Sequence, residues 1–356
     1  MAIKILYIGN DVQTITYGAD VLNMRNIEYL KKITHNNVNI ISPTKCNKLK
    51  QLLTLRNGGY SRKIEKKVLN QLAHHKYTHV FLSQSLLGCM AKTIKKHFPT
   101  IPIICCFHNI EKKFSRDMLR VSGLRILPFY IRAIYNEKLA VKYSDITLFL
   151  NQRDAEEYHK EYKLSPNFII PISYEDKFQQ SKLAQHTLTQ QYNILFVGSA
   201  FYANTEGIKW YIKNVLPYIK GHLTIIGKGM DRYQREWDNE RVTVLGYVNN
   251  LDEYYYKADI IVMPIFSGSG MKTKTAEALM YGKNIQGTKE AFEGYEIEPK
   301  AMYSCQTAKE FITTYNQLTQ GNRLLPYNKY ARNLFLKKYS EEITYKAFKQ
   351  IFNLES

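Results

Sequence analysis

The sequence predicts an α/β protein of two successive domains, each a parallel sheet covered by helices on both faces. Three observations carry that prediction. The length of 356 residues exceeds what one hydrophobic core ordinarily serves. Two segments about 190 residues apart, Ile3–Gly9 (IKILYIG) and Tyr192–Gly198 (YNILFVG), share one pattern: an apolar strand, a closing glycine, a polar loop and an amphipathic helical stretch. Through both halves, strand-length apolar runs then alternate with helical stretches.

The elements follow in order. After Ile3–Gly9 comes a helical stretch at about 20–33, then strands at Val38–Ser42, His79–Ser83, Ile101–Phe107, Asp145–Leu150 and Phe168–Ile172, with helical segments between them. After Tyr192–Gly198 comes a helix at about 205–217. Strands then read at His222–Ile226, Val242–Leu245, Asp259–Met263, Asn284–Gly287 and Met302–Cys305. Continuous apolar runs without alternation suit strands buried on both faces of a parallel sheet. Lys177–Gln191 is rich in Gln, Ser and Thr and weakly periodic. It marks a linker at 177–191 between a first domain, 1–176, and a second, 192–335. The stretch at about 327–352 is helical, aromatic and basic, and a C-terminal helix at about 336–356 is expected to cross back onto the first domain.

Composition excludes several classes. An apolar share of 45%, with 28 tyrosines and 16 phenylalanines, supports a packed core rather than disorder. Cys46, Cys89, Cys105, Cys106 and Cys305 include no C-x-x-C pair, which suits a reducing compartment and neither a disulfide framework nor a zinc site. The N-terminus reads as a first strand rather than a signal peptide, and no apolar run approaches the ~20 residues that span a bilayer. A cytoplasmic protein is expected. The net charge of +19 is uneven: residues 1–190 hold 29 Lys and Arg against 14 Asp and Glu, and residues 191–356 hold 21 against 17. A basic first half implies an anionic partner there.

Chemistry concentrates in Ala258–Gly282. The strand run Ala258–Pro264 leads to Gly268, Ser269 and Gly270, then Lys272 and Lys274, then Glu277 on a short helix. A strand feeding a glycine loop and a helix start converges backbone N–H groups on one point, which suits a phosphate. Two lysines add charge for a diphosphate, and Glu277, about one turn past Lys274, is placed to hold sugar hydroxyls. An exposed turn with solvated lysines is the competing reading of that segment taken alone. No phosphate loop of the G-x-x-x-x-G-K-[ST] kind, no G-x-S-x-G elbow, no zinc spacing and no D-x-D motif occurs.

The segments FVGSAFYANTEGIKWYIKNVLP (196–217), LTIIGKG (223–229), VTVLGYVNNLDEYYYKADIIVMP (242–264) and GSGMKTKTAEALMYGKNIQGTKEAFEGYE (268–296) agree in order and spacing with a known family. The chain resembles the GT-B-fold glycosyltransferases of the "glycosyl transferases group 1" type, close to glycosyltransferase family 4. The resemblance implies two Rossmann-like domains facing across a cleft, and a retaining transfer of sugar from an NDP-sugar bound by the C-terminal domain. It implies that Glu277 holds the ribose and that Lys272, Lys274 and the Gly268–Met271 backbone (with Ser269 and Gly270) contact the pyrophosphate. Gly198, Ser199, Gly227 and Tyr247 fall on the donor side. In the first half, CFHNIE (106–111) places His108 at a strand end facing the donor sugar, with Asn109 beside it. The Gly9–Gly18 segment, including Asn10 and Gly18, takes the place of the family's N-domain loop but lacks its paired glycine.

The chain departs from the family pattern where Ser269 replaces a glutamate common in relatives, and where Ser199 replaces an arginine. The phosphate charge is therefore assigned to Lys272 and Lys274. No metal and no cofactor beyond the NDP-sugar co-substrate is expected, and the nucleotide is expected to be uridine. The acceptor is read as a saccharide or a polyprenyl-linked saccharide, in capsule, lipopolysaccharide or exopolysaccharide biosynthesis. Ser61–Lys76 and Lys112–Arg132 combine basic residues with apolar ones and are candidates for an anionic membrane surface. Ordinary packed helices with a cationic outer face are the alternative. A non-catalytic partner subunit of the same fold stays open, and a nucleic-acid-binding protein is suggested by charge alone, without the interleaved aromatics such proteins use.

Overall fold

The computed structural model describes residues 2–11, 18–43, 55–56, 60–185, 191–268, 270–320, 324 and 327–354. The chain forms two compact units, residues 1–171 with 345–356, and residues 172–344. The division falls five residues before the expected boundary at 176. The described part of the expected linker belongs to the second unit and makes a short turn at Gln180–Gln185.

The first unit holds six parallel strands: β1 (Ile5–Ile8), β2 (Val38–Ile41), β3 (His79–Leu82), β4 (Ile103–Phe107), β5 (Ile146–Phe149) and β6 (Phe168–Ile169). They lie in the order β2-β1-β3-β4-β5-β6. Its helices are α1 (Gly18–Thr34), α2 (Arg62–His74), α3 (Gly88–His97), α4 (Glu111–Ser122), α5 (Leu127–Tyr143) and α6 (Gln152–Tyr162). The strands are Ile-, Val- and Phe-rich because both faces are covered. Leu6, Ile8, Val80 and Leu82 pack into one core, and Ile5, Tyr7, Phe81 and Ile104 into the other.

One expectation from the sequence is corrected here. The apolar residues of the 61–76 stretch are not offered to a membrane. Ile64, Val68 and Leu72 of α2 are buried in the first core, against residues of β1 and β3. The basic residues of α2 lie on the opposite face of the helix, so the amphipathic pattern is that of an ordinary packed helix.

The second unit repeats the plan: β7 (Tyr192–Val197), β8 (Gly221–Ile226), β9 (Val242–Leu245), β10 (Ile260–Met263), β11 (Asn284–Gly287) and β12 (Met302–Ser304), in the order β12-β11-β10-β7-β8-β9. Its helices are α7 (Tyr202–Asn214), α8 (Gln234–Trp237), α9 (Asp252–Lys257), α10 (Thr273–Met280), α11 (Ala308–Thr319) and α12 (Lys329–Leu334). This is the doubly wound Rossmann order, in which the chain leaves β7 in one direction and β10 in the other. A last helix, α13 (Glu341–Gln350), runs into the first unit from Tyr345 onward. There Phe348 is fully buried, edge-on to Tyr29 at 5.5 Å and 6.2 Å from Phe81.

The C-terminal segment thus completes the outer core of the first unit. Phe348→Ala is expected to cost about 3–5 kcal/mol of that unit's stability by removing a buried ring, measured as a fall in the midpoint of its urea unfolding transition.

Candidate functional site

In a parallel sheet the strand ends carrying ligand loops are the carboxyl ends, and the natural crevice lies where the strand order reverses. In the second unit that point is between β7 and β10, which pair directly through Ile260 with Ile194 and Ile261 with Leu195. The loops leaving those two strands contain Gly198 and Gly268.

Close backbone approach shapes the floor. A Cβ added to Gly227 would sit 2.0 Å from the Gly198 carbonyl oxygen, and one added to Gly198 would sit 2.8 Å from the Lys274 Nζ. Only glycines let the two loops and this ammonium group share the space. The Ser199 carbonyl accepts a 2.8 Å bond from Nδ2 of Asn204, in the first turn of α7. That bond turns Asn204 Oδ1 to Lys274, whose Nζ donates to it at 2.7 Å. The ammonium also lies 4.6 Å from the centroid of the buried Phe196 ring.

The two lysines are in different electrostatic states. Lys272 is answered by Glu290, at 2.7 Å, and also donates to the Gly270 carbonyl at 2.8 Å. Lys274 has an amide and a ring face, and no ion pair among the described residues. Burial first, and then the neighbouring Lys272, push its pKa down to about 7. The two lysines expected to act together thus differ in their contacts: Lys274 meets an amide and a ring, while Lys272 ties the loop to Glu290.

Glu277 follows Lys274 by one turn of α10, so both side chains share a face. Its Oε2 accepts a 3.0 Å bond from the Tyr255 hydroxyl, and Tyr255 is held in turn by stacking on Tyr281 at 4.8 Å. Burial raises the Glu277 carboxyl to about 7, against the pull of the Tyr255 bond and of Lys177. The start of α10 is pinned by Tyr295, whose hydroxyl donates to the Lys272 carbonyl at 2.6 Å and accepts from the Ala276 N–H at 3.2 Å. Gly268 and Gly270 have φ of 135° and 69°, which side chains rarely tolerate. The Met271 side chain is buried, with its sulfur 3.4 Å from the Ile172 N–H, so only its backbone is offered to a ligand. Tyr247 stands exposed beyond β9. Ser269 lies outside the described residues.

In the first unit His108 follows β4. Its Nε2 is buried and has no partner among the described residues, and burial, reinforced by Arg25, lowers its pKa to about 4, so the ring is neutral at physiological pH. Asn109 bonds Glu111, at the first position of α4. Glu111 and Glu137 form a buried carboxylate pair, raised by burial to about 8 and about 7. Glu137 accepts from the Glu111 N–H and, at 2.6 Å, from the Tyr162 hydroxyl. Asn10 is exposed just past β1 and Gly18 opens α1, while residues 12–17 between them lie outside the described residues.

Sequence reasoning missed Asn204, Tyr255 and Glu290 in the second unit, and Arg25 and Glu137 in the first. Asn204 had a legible signal, an amide in the first turn of the helix that follows a strand-closing glycine. Glu290 and Tyr255 had none, because only folding brings them to Lys272 and Glu277.

Residues 191–311 match the family model described as Glycosyl transferases group 1. They form a glycosyl transferases group 1 domain. No curated protein sequence matches the chain. Among solved structures, the sucrose-phosphate synthase of Thermosynechococcus elongatus superposes with a TM-score of 0.78 at 15% identity, over 98% of each chain. The Anabaena protein Alr3699/HepE, in complex with UDP and glucose, gives 0.70 at 14% over 99% of each. The trehalose 6-phosphate synthase of Burkholderia multivorans gives 0.67 at 10% over 98% of each. At such identities the likeness shows the fold: GT-B, built of two Rossmann-like domains. The fold is GT-B, and its second unit carries the group 1 match.

Among the described residues, no group of three or more His, Cys, Asp or Glu side chains is placed to hold a metal. Its Lys274 also sets a pH signature. The unfolded chain titrates this lysine near 10.5 and the folded protein near 7. Between those values the unfolded state binds the extra proton, so the lysine's contribution to stability rises with pH. Lys274→Met is therefore expected to be more stable than wild type in urea titrations at about pH 6, with the gap narrowing at about pH 9.5.

Proposed function

We propose that the protein transfers a sugar, with retention of configuration, from a UDP-linked donor to a saccharide or lipid-linked saccharide acceptor in surface polysaccharide synthesis. One observation carries the reading: a half-buried ammonium with no ion pair among the described residues, Lys274, stands one helical turn from a carboxylate, Glu277, at the switch point of a Rossmann sheet. A nucleoside diphosphate needs that pair of groups, a cation for the diphosphate and a carboxylate for the ribose diol. The solved structures of HepE with UDP and with UDP-glucose support uridine as the base.

The chemistry follows from charge. As the bond from the sugar to the diphosphate lengthens, negative charge builds on the leaving group. Lys274 and the N–H groups of the Gly268–Met271 loop meet it without a reorganisation step. This route needs no metal. Glu277 orients the nucleotide and contributes nothing to bond breaking. His108, neutral, donates or accepts one hydrogen bond to the sugar or acceptor rather than supplying charge.

The basic first unit binds the acceptor. Its α4–α5 corner exposes Leu124 at 80%, Ile131 at 52% and Leu127 at 38%, beside Arg120 and Arg125. Apolar residues ringed by arginine suit an anionic lipid surface, where a polyprenyl-linked acceptor resides. Among the described residues no helix is long and apolar enough to cross a membrane, so a peripheral contact is the form proposed.

Lys274→Ala and Glu277→Ala are each expected to lower turnover of UDP-sugars about a hundredfold or more, with wild-type turnover unchanged by EDTA and the product anomer matching the donor by NMR. If both variants stay within about threefold of wild type, the site assignment is wrong. In flotation with anionic vesicles, binding is expected at low salt, to weaken with added salt, and to fall sharply in Leu124→Glu. Indifference of wild type to these vesicles at low salt would remove the membrane reading.

A further inference from the structure

A groove of about 310 Å³ opens on the second unit between α7 and the segment that leaves β10. Its geometry comes from one contact. A Cβ on Gly207 would lie 1.8 Å from the Pro264 carbonyl oxygen, so α7 rests directly on the backbone at the end of β10. That approach brings Trp210, one turn further along α7, against Phe266, with ring centroids 4.7 Å apart and planes at 74°. Phe266 is 45% exposed, unusual for a phenylalanine in a concave site. Around the rings stand the carboxylate of Glu206, the hydroxyl of Ser267 and the amide of Gln306. Among the described residues Glu206 makes no hydrogen bond or ion pair, and no lysine or arginine lines the groove.

We propose that this groove binds an uncharged saccharide. Two perpendicular rings present an apolar wall to the C–H face of a pyranose, and the rim groups reach its equatorial hydroxyls. A phosphate-bearing ligand is disfavoured by Glu206 and by the lack of a cation. A lipid chain needs a continuous trough, and a protein partner needs far more area than this groove offers. Phe266 and Ser267 lead directly into Gly268, so an occupant sits on the segment that enters the donor loop. That the saccharide is the acceptor glycan rests on the glycosyltransferase reading; that the groove binds saccharide does not.

The chain has two tryptophans, and the second, Trp237, is buried and stacked on Tyr233 at 4.3 Å. Trp237→Phe thus leaves Trp210 as the only indole reporter. In the full chain carrying that change, emission is followed during titration with maltose, cellobiose and N-acetyllactosamine. In parallel, UDP is tested by thermal shift. At least one saccharide is expected to shift Trp210 emission saturably. Phe266→Ala or Glu206→Ala is expected to weaken that titration about tenfold, while UDP still raises the melting temperature. Both substituted residues are exposed, so the fold is kept, and an unchanged melting temperature without ligand checks it. If none of the three saccharides moves Trp210 emission, or if both substitutions leave the titration unchanged, the groove proposal is overturned. A saccharide response without UDP stabilisation upholds the groove and overturns the donor reading instead.

Discussion

The second unit is organised around an ammonium group that no carboxylate answers among the described residues. Lys274 is half-buried between a glycine floor, the Phe196 ring and the Asn204 amide. Burying such a charge is unfavourable, which appears as a pKa near neutrality rather than near that of a free lysine. The glycines at 198 and 227 make the site possible, because any side chain there would push the loops off the ammonium. Asn204 steadies the lysine through an oxygen dipole, which an arriving diphosphate can outcompete. A glutamate in that place would hold the lysine too firmly. Lys272 shows the contrast: two residues away, its pairing with Glu290 makes it a strut for the loop.

Tyrosine carries much of the remaining support. Tyr255 bonds Glu277, Tyr281 stacks on Tyr255, and Tyr295 bridges the first turn of α10. Tyr255 and Tyr295 each place a hydroxyl on a rigid ring whose apolar body belongs to the core. That is an economical way to fix polar geometry at a strand end. Burial pushes the Glu277 carboxyl up and the Lys274 ammonium down, so each group sits away from its ordinary range in the free site. A ligand that carries both a diphosphate and a diol shifts each group toward its ionised form.

How much was legible in the sequence depends on the range of the interaction. The twelve strands of the described residues were readable, because the central ones, such as Ile5–Ile8, Ile103–Phe107 and Ile260–Met263, are fully buried apolar runs and the others recur in step between helical stretches. The Gly268–Glu277 segment was readable because loop glycines, helix start and charged groups are neighbours in the chain. The amphipathic pattern of α2 was also readable, but not its destination. Ile64, Val68 and Leu72 serve equally well against a membrane or a sheet, and only packing against β1 and β3 settles that they face the core. The pairing of Lys272 with Glu290 spans 18 residues and crosses from one loop to another, beyond any periodic signal.

The sequence by itself therefore determined the class and the doubling of the domain, and it singled out the candidate site segment, each from local pattern: strand hydrophobicity, glycine placement and helical spacing. Tertiary structure decided which charges are free. Lys272 and Lys274 are the same residue type, two positions apart, yet one is neutralised by a distant glutamate and the other is left to an amide. It likewise decided that Trp210 meets Phe266, because that contact hangs on a backbone approach at Gly207 that no linear pattern records. Electrostatic state and ring geometry depend on what folding brings within a few ångströms, and that proximity is a property of the packed chain.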